Sequence, residues 1–222
     1  MDNISLSQKQ IILGGLLGDA SFYKEKKYIS FSQSEKQLNY IKWKYSMFYN
    51  DEKHLHSVYN TWNNQRYLRY YFYYYLNSNN ALYSFINKNL YSNEGRKKIS
   101  LKYLNELTPL GLAIWWMDDG CMCLSKRNRY GKLSTHCFNY EEHILLQKYF
   151  KEKWNINVAI KQEKECYFLR FNVEELKKLI KIIYPYVTQV DGMSYKIDLN
   201  YKYEKCIEDD FKDIYYYIKK YM

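Results

Sequence analysis

Two stretches of this sequence end apolar, helix-periodic runs in carboxylates. "ILGGLLGDA" (residues 12–20) ends at Asp19, and "LAIWWMDDG" (residues 112–120) ends at Asp118, Asp119 and Gly120. Carboxylates at a helix C-terminus face the negative end of the macrodipole and the free carbonyls of the last turn, so they repel their surroundings unless a cation compensates. Carboxylate and carbonyl oxygens are hard donors, which suit Mg²⁺ or Ca²⁺. With a net charge of +10, pI 9.1 and Lys and Arg spread along 222 residues, the expected partner is a polyanion. Metals held between two acids beside a polyanion point to phosphodiester hydrolysis, in which metal activates a water and neutralises charge on the phosphate.

The elements that must bring the acids together are written twice. Ser7-Gln-Lys-Gln10 offers a capping box for a helix ending near Gly18-Asp19, and Thr108-Pro109 offers an N-cap and first helical residue for a helix running to Asp119-Gly120. After the acids come alternating, strand-like segments, "KKYISFSQS" (26–34) and "GKLSTHCF" (131–138), then helices over Gln37–Phe48 and Tyr140–Trp154. "HSVYNTWNN" (56–64) and "ECYFLRFN" (165–172) read as further strands, leading into helices over Arg69–Asn87 and Val173–Ile183. The expected unit is helix, hairpin, helix, hairpin, helix, twice: an α+β pseudo-twofold pair with halves at 1–100 and 101–222. Gly14 and Gly18 on one helix, with Gly111 and Ala113 on the other, permit the close parallel packing that would set Asp19 beside Asp119.

Composition bounds the rest. Five cysteines (121, 123, 137, 166, 206) form no C-x-x-C pair, which argues for reduced thiols in an intracellular, non-secreted protein and against structural zinc. No apolar run approaches bilayer length, so no membrane partner is expected. The 28 tyrosines accompany many Asn, Lys and Ile, all with A/T-rich codons, so "YYFYYY" (70–75) carries no functional weight.

The two acid motifs resemble those of the LAGLIDADG homing endonucleases in their single-chain form. With "KKIS" upstream of the second motif and "MSYKI" near the end, the chain is similar to the yeast mitochondrial omega-intron type within that family. That resemblance implies αββαββα units with curved antiparallel DNA-binding sheets around a central two-helix interface. It also implies a monomer that makes a double-strand break at a long asymmetric DNA site, located in the cell with its target DNA. Its metal acids would be Asp19 and Asp119, with the backbone carbonyls of Gly18 and Asp118. Basic catalytic residues would be Lys97, with Lys98 as the alternative, and Lys196; Gln33 would organise water, with His136 as its counterpart. Mg²⁺, or Mn²⁺, is the implied cofactor, with Ca²⁺ binding without supporting cleavage. DNA-contact candidates near strands are Lys24, Lys26, Lys27, Arg66, Arg69, Lys126, Arg127, Arg129, Lys132, His136, Lys161, Lys164 and Arg170. The alternatives within this fold are an intron maturase binding RNA and a DNA-binding protein without cleavage. A reverse-transcriptase turn at "WMDD" requires a strand before Met117, which Thr108-Pro109 and the helical run oppose.

Overall fold

The computed structural model describes residues 4–124 and 129–197, so Lys126, Arg127 and Cys206 lie outside the described residues. The expected double unit is present. Its first half runs α1 (Leu6–Leu17), β1 (Ser21–Tyr23), β2 (Tyr28–Ser34), α2 (Leu38–Ser46), β3 (His56–Trp62), β4 (Gln65–Tyr75) and α3 (Ala81–Leu90). A short helix not foreseen in the sequence, α4 (Leu101–Asn105), precedes the second half: α5 (Pro109–Asp119), β5 (Gly120–Leu124), β6 (Arg129–Leu133), α6 (Tyr140–Trp154), β7 (Ala159–Glu163), β8 (Cys166–Phe171) and α7 (Val173–Val187). Both sheets are antiparallel with the same order, β1-β2-β4-β3 and β5-β6-β8-β7.

Three local expectations are corrected. The α1 capping box is Ser5 with Gln8, not Ser7 with Gln10. Ser-x-x-Gln occurs twice in this stretch, and Gln10 is instead buried, donating to Glu106 O (2.9 Å) and accepting from Thr108 N (2.7 Å). Arg69–Tyr75 is strand rather than helix. Asn63 and Asn64, both at positive φ (47° and 61°), close a two-residue hairpin loop between β3 and β4. "GKLSTHCF" is strand only to Leu133, after which the chain turns into the α6 cap at Asn139.

Period-2 burial sets the faces of the first sheet. Ile29, Phe31 and Gln33 of β2 and Phe72 of β4 point to the helices, while Ser30, Ser32, Tyr71 and Tyr73 point away from them. On that outer face Tyr23, Tyr28, Tyr73 and Tyr71 form a continuous row, with successive ring centroids 4.8, 4.6 and 5.4 Å apart.

The core centres on α1 against α5. Both helices are apolar on nearly every side, as helices enclosed between two layers must be. A Cβ on Gly14 would lie 2.2 Å from Gly111 O, so the backbones touch there and only glycine fits. Trp115 and Trp116, the largest fully buried side chains among the described residues, pack α5 against Phe150 of α6 and Phe171 of β8. Among the described residues no helix is long and apolar enough to cross a membrane.

Candidate active site

Packing α1 along α5 fixes where both chains leave their helices. Gly18 caps α1, its N–H donating to Gly14 O (3.2 Å), and Gly120 follows α5, its N–H donating to Trp116 O. Asp19 and Asp118-Asp119 therefore meet at one end of the helix pair, where Asp19 N donates to Asp118 Oδ2 (3.3 Å).

Two lysines approach these turns in matching ways. Lys97 Nζ donates to Gly18 O (3.4 Å) and Ala20 O (3.2 Å); Lys196 Nζ donates to Asp118 O (3.4 Å) and Gly120 O (2.8 Å). Each ammonium thus spans the carbonyls on either side of one acid. Separate devices hold them. Lys97 lies in a segment clamped by Glu142 of α6, which accepts a bidentate pair from Arg96 (2.9 and 3.2 Å) and the Ile99 N–H (3.1 Å). Lys98 is not the approaching residue; its backbone N–H is bound to Leu90 O (2.8 Å). Lys196 sits in a 3₁₀ turn, Ser194–Lys196, pinned where Trp116 Nε1 donates to Lys196 O (2.9 Å).

The electrostatics are frustrated. Burial, then repulsion by Asp19 and Asp118, pushes the Asp119 carboxyl up to about 7. Asp19 is raised as well, by burial first and then by Asp118. Burial holds Lys97 and Lys196 below the usual lysine range. Glu142 moves the other way: burial raises it, but its bonds from Arg96, Asn139 and Ile99 bring it below the usual range.

Asp118 is handled differently from its neighbours. Its side chain has no solvent exposure, and Oδ1 accepts from Lys44 Nζ (2.7 Å), Tyr40 OH (2.9 Å) and Gln33 Nε2 (3.3 Å). The motif pattern points to the backbone of Asp118 and to neither Tyr40 nor Lys44. The available signal was a lysine at position 44, four residues after Tyr40 and on the same buried helix face as Ile41 and Tyr45.

Gln33 Nε2 also donates to Asp19 Oδ2 (2.9 Å), joining the two acids. Its counterpart is not His136. Ser21 pairs with Ser30 in the first sheet and Cys121 with Lys132 in the second, so the position matching Gln33 is Thr135. Thr135 is buried, its Oγ1 2.8 Å from His143 Nε2, whereas His136 points outward with Nε2 3.1 Å from Glu163.

Among the described residues no three His, Cys, Asp or Glu side chains are arranged to hold a metal ion by themselves. Asp118 is committed to Lys44 and Tyr40. What remains is two partly desolvated carboxylates with raised affinity for a positive partner, beside the main-chain carbonyls of Gly18 and Asp118. That all-oxygen set fits a hard divalent cation supplemented by waters or phosphate oxygens.

The basic candidates divide by strand register. Arg69, Lys132, Lys161 and Arg170 share the outer faces of the sheets. Lys132 donates to Glu163 (2.6 Å) and lies over Phe168, and Arg170 stacks on Tyr130 at 4.5 Å. Lys24, Lys26 and Lys27 occupy the β1–β2 turn, and Lys164 the β7–β8 turn. Arg66 and Arg129 fall on the opposite register, in line with Phe72 and Leu133 respectively, and Arg66 stacks on Tyr59.

Two α+β units of identical strand order, joined through paired helices that end in acids, make a duplicated fold with the acids of both units at one end of the helix pair. The chain belongs to the LAGLIDADG DNA endonuclease family, whose sequence profile matches residues 9–179. Cytochrome b mRNA maturase bI2 of Saccharomyces cerevisiae is 31% identical over 221 residues, covering 87% of this chain and 48% of that protein. A probable intron-encoded DNA endonuclease 3 of Mycosarcoma maydis is 29% identical over 94 residues, covering 42% of this chain and 66% of that one. The chain thus spans about half the length of the maturase it matches. The fold is shared with the homing endonuclease I-WcaI, solved bound to its DNA recognition sequence: TM-score 0.75, 22% identity, 89% of this chain and 88% of that one.

Proposed function

We propose that this chain is a site-specific DNA endonuclease that cuts both strands of a long asymmetric site by divalent-metal-dependent phosphodiester hydrolysis. The observation that carries the reading is the convergence of Asp19 and Asp119 at paired helix ends, each turn spanned by its own lysine. Asp19 and Asp119, with the carbonyls of Gly18 and Asp118, would hold Mg²⁺ or Mn²⁺, and Ca²⁺ would bind there without supporting cleavage. A bound ion would supply an activated water and neutralise charge on the scissile phosphate. Gln33, bonded to Asp19, orients the water beside that acid. The Lys97 and Lys196 ammonium groups stabilise charge that develops on the phosphate, and their partial burial makes each charge count for more than it would in water. Arg69, Lys132, Lys161 and Arg170 on the outer faces, with Lys24 and Lys26 at a turn, would contact DNA as a group, phosphate contacts setting position and base contacts sequence. Two halves with different outer faces would read an asymmetric site as a monomer.

The test uses DNA made by joining the sequences that flank this reading frame. Linear plasmid carrying the junction is expected to be cut by the wild type with Mg²⁺, and not by Asp19→Asn or Asp119→Asn at unchanged DNA affinity. A wild type that binds this DNA and never cuts it overturns the nuclease reading in favour of a non-cleaving binder. The relative named as an mRNA maturase favours one second reading, in which the same chain binds intron RNA. Accelerated splicing by the purified protein of an intron that carries this reading frame would be its mark.

A further inference from the structure

We infer that the Asp118 side chain is a positioning residue for Asp19, acting in the opposite half of the site from the one its sequence belongs to; this rests on the nuclease reading above. Gly18 and Asp118 occupy equivalent places, each one residue before an acid, and they face each other across the helix pair. A Cβ on Gly18 would lie 2.5 Å from Asp118 Cβ and 2.8 Å from Oδ2. Only one of the two equivalent positions has room for a side chain, and the one present is a carboxylate.

Among the described residues every donor to that carboxylate comes from the first half. Tyr40 and Lys44 lie on α2, Gln33 on β2, and the fourth is the Asp19 N–H. Asp19 is consequently held at two points: its backbone by Asp118 Oδ2, and its carboxylate by the Gln33 amide, which Asp118 Oδ1 also accepts from. Lys44 keeps the device neutral and is itself seated over the Tyr40 ring, 4.0 Å from the centroid. A buried ion pair is seldom required for stability, since apolar residues of similar volume often serve as well or better. Its attachment to Asp19 gives this pair a role that apolar packing could not fill. Among the described residues the second half has no equivalent: Thr135 stands at the Gln33 position, its Oγ1 2.8 Å from His143 Nε2.

The experiment removes the pair without leaving a lone buried charge. Lys44→Met/Asp118→Leu deletes both charges and the acceptor; Lys44→Met/Asp118→Asn deletes the charges but keeps an acceptor oxygen. The readouts are thermal melting, DNA affinity, single-turnover cleavage at saturating DNA, and Ca²⁺ affinity of the DNA complex by calorimetry. The leucine pair is expected to melt and bind DNA like the wild type, to cut about tenfold slower or worse, and to bind Ca²⁺ more weakly, because small displacements of reacting groups are expensive. The asparagine pair, whose one amide oxygen can replace Oδ2 for the Asp19 N–H but not Oδ1 as well, should recover part of that loss and cut measurably faster than the leucine pair. A leucine pair that cuts and binds Ca²⁺ normally, or an asparagine pair as impaired as the leucine pair, overturns the inference. Should the leucine pair not fold, Lys44→Met/Asp118→Ala takes its place in the same comparison. If the wild type itself does not cut, the nuclease reading falls, while the Ca²⁺ comparison still decides the positioning claim.

Discussion

Asp119→Asn should make the metal-free protein more stable at high pH, the reverse of what an acid in a salt bridge would show. The Asp119 carboxyl goes from 3.8 to about 7 in the folded state. The folded protein therefore holds this proton more tightly than the unfolded chain does. The associated stability is fully present below 3.8 and is lost as pH rises through about 7. At about 1.4 kcal/mol per pH unit the span is worth about 4 kcal/mol at most, and partial solvent contact brings it to about 2 kcal/mol. Asparagine keeps the shape and has no charge to bury. Urea unfolding in the presence of chelator should find variant and wild type equal at about pH 4, with the variant about 2 kcal/mol more stable at about pH 8. Mg²⁺ at the higher pH should then raise wild-type stability and leave the variant unmoved, because only the wild type retains both acids. A variant that is no more stable at high pH, or a difference that ignores pH, refutes the electrostatic account of this site.

Other expectations follow from the same geometry. Gly14→Ala drives a Cβ into Gly111 O and must part the helices; urea unfolding should show a loss of about 2–3 kcal/mol, with cleavage falling further than DNA binding. Lys97→Met and Lys196→Met should each lower the single-turnover rate on saturating DNA by about tenfold to a hundredfold with little change in affinity, and a loss confined to affinity would make them DNA anchors instead. At limiting Mg²⁺ the cleavage rate should climb as pH rises through about 7, because Asp119 must shed its proton to serve as a ligand. Saturating Mg²⁺ should move that midpoint lower; a rate independent of pH at limiting metal would count against Asp119.

The order of elements and the helix interface were legible because they are carried by strong local signals. The Thr108-Pro109 start, the glycines at 14, 18 and 111 and the capped helix Tyr140–Trp154 all appear where the sequence puts them. Arg69–Tyr75 does not read as a strand because tyrosine at nearly every position hides the period-2 contrast; only Phe72, buried and paired with buried Phe31, shows it. Thr135, not His136, matches Gln33 because the second half leaves its strand at Leu133, and the turn that follows buries Thr135 against His143 and sends His136 out to Glu163, a difference that no local pattern marks. The Asp118 network was not legible for a different reason. Its side-chain donors come from α2 and β2, 74 to 85 residues away, and such contacts leave no local periodicity.

Site-directed oxidative cleavage locates a divalent ion that Asp19 and Asp119 would hold jointly at the end of the helix pair. Fe²⁺ with ascorbate, added in place of Mg²⁺ to the DNA-bound protein, should cut the polypeptide near residues 18–20 and 118–120, as mapped by mass spectrometry. Both cuts should vanish in the Asp19→Asn/Asp119→Asn variant and fade when Mg²⁺ competes. Cuts elsewhere in the chain, or cuts that persist in that variant, would contradict the account.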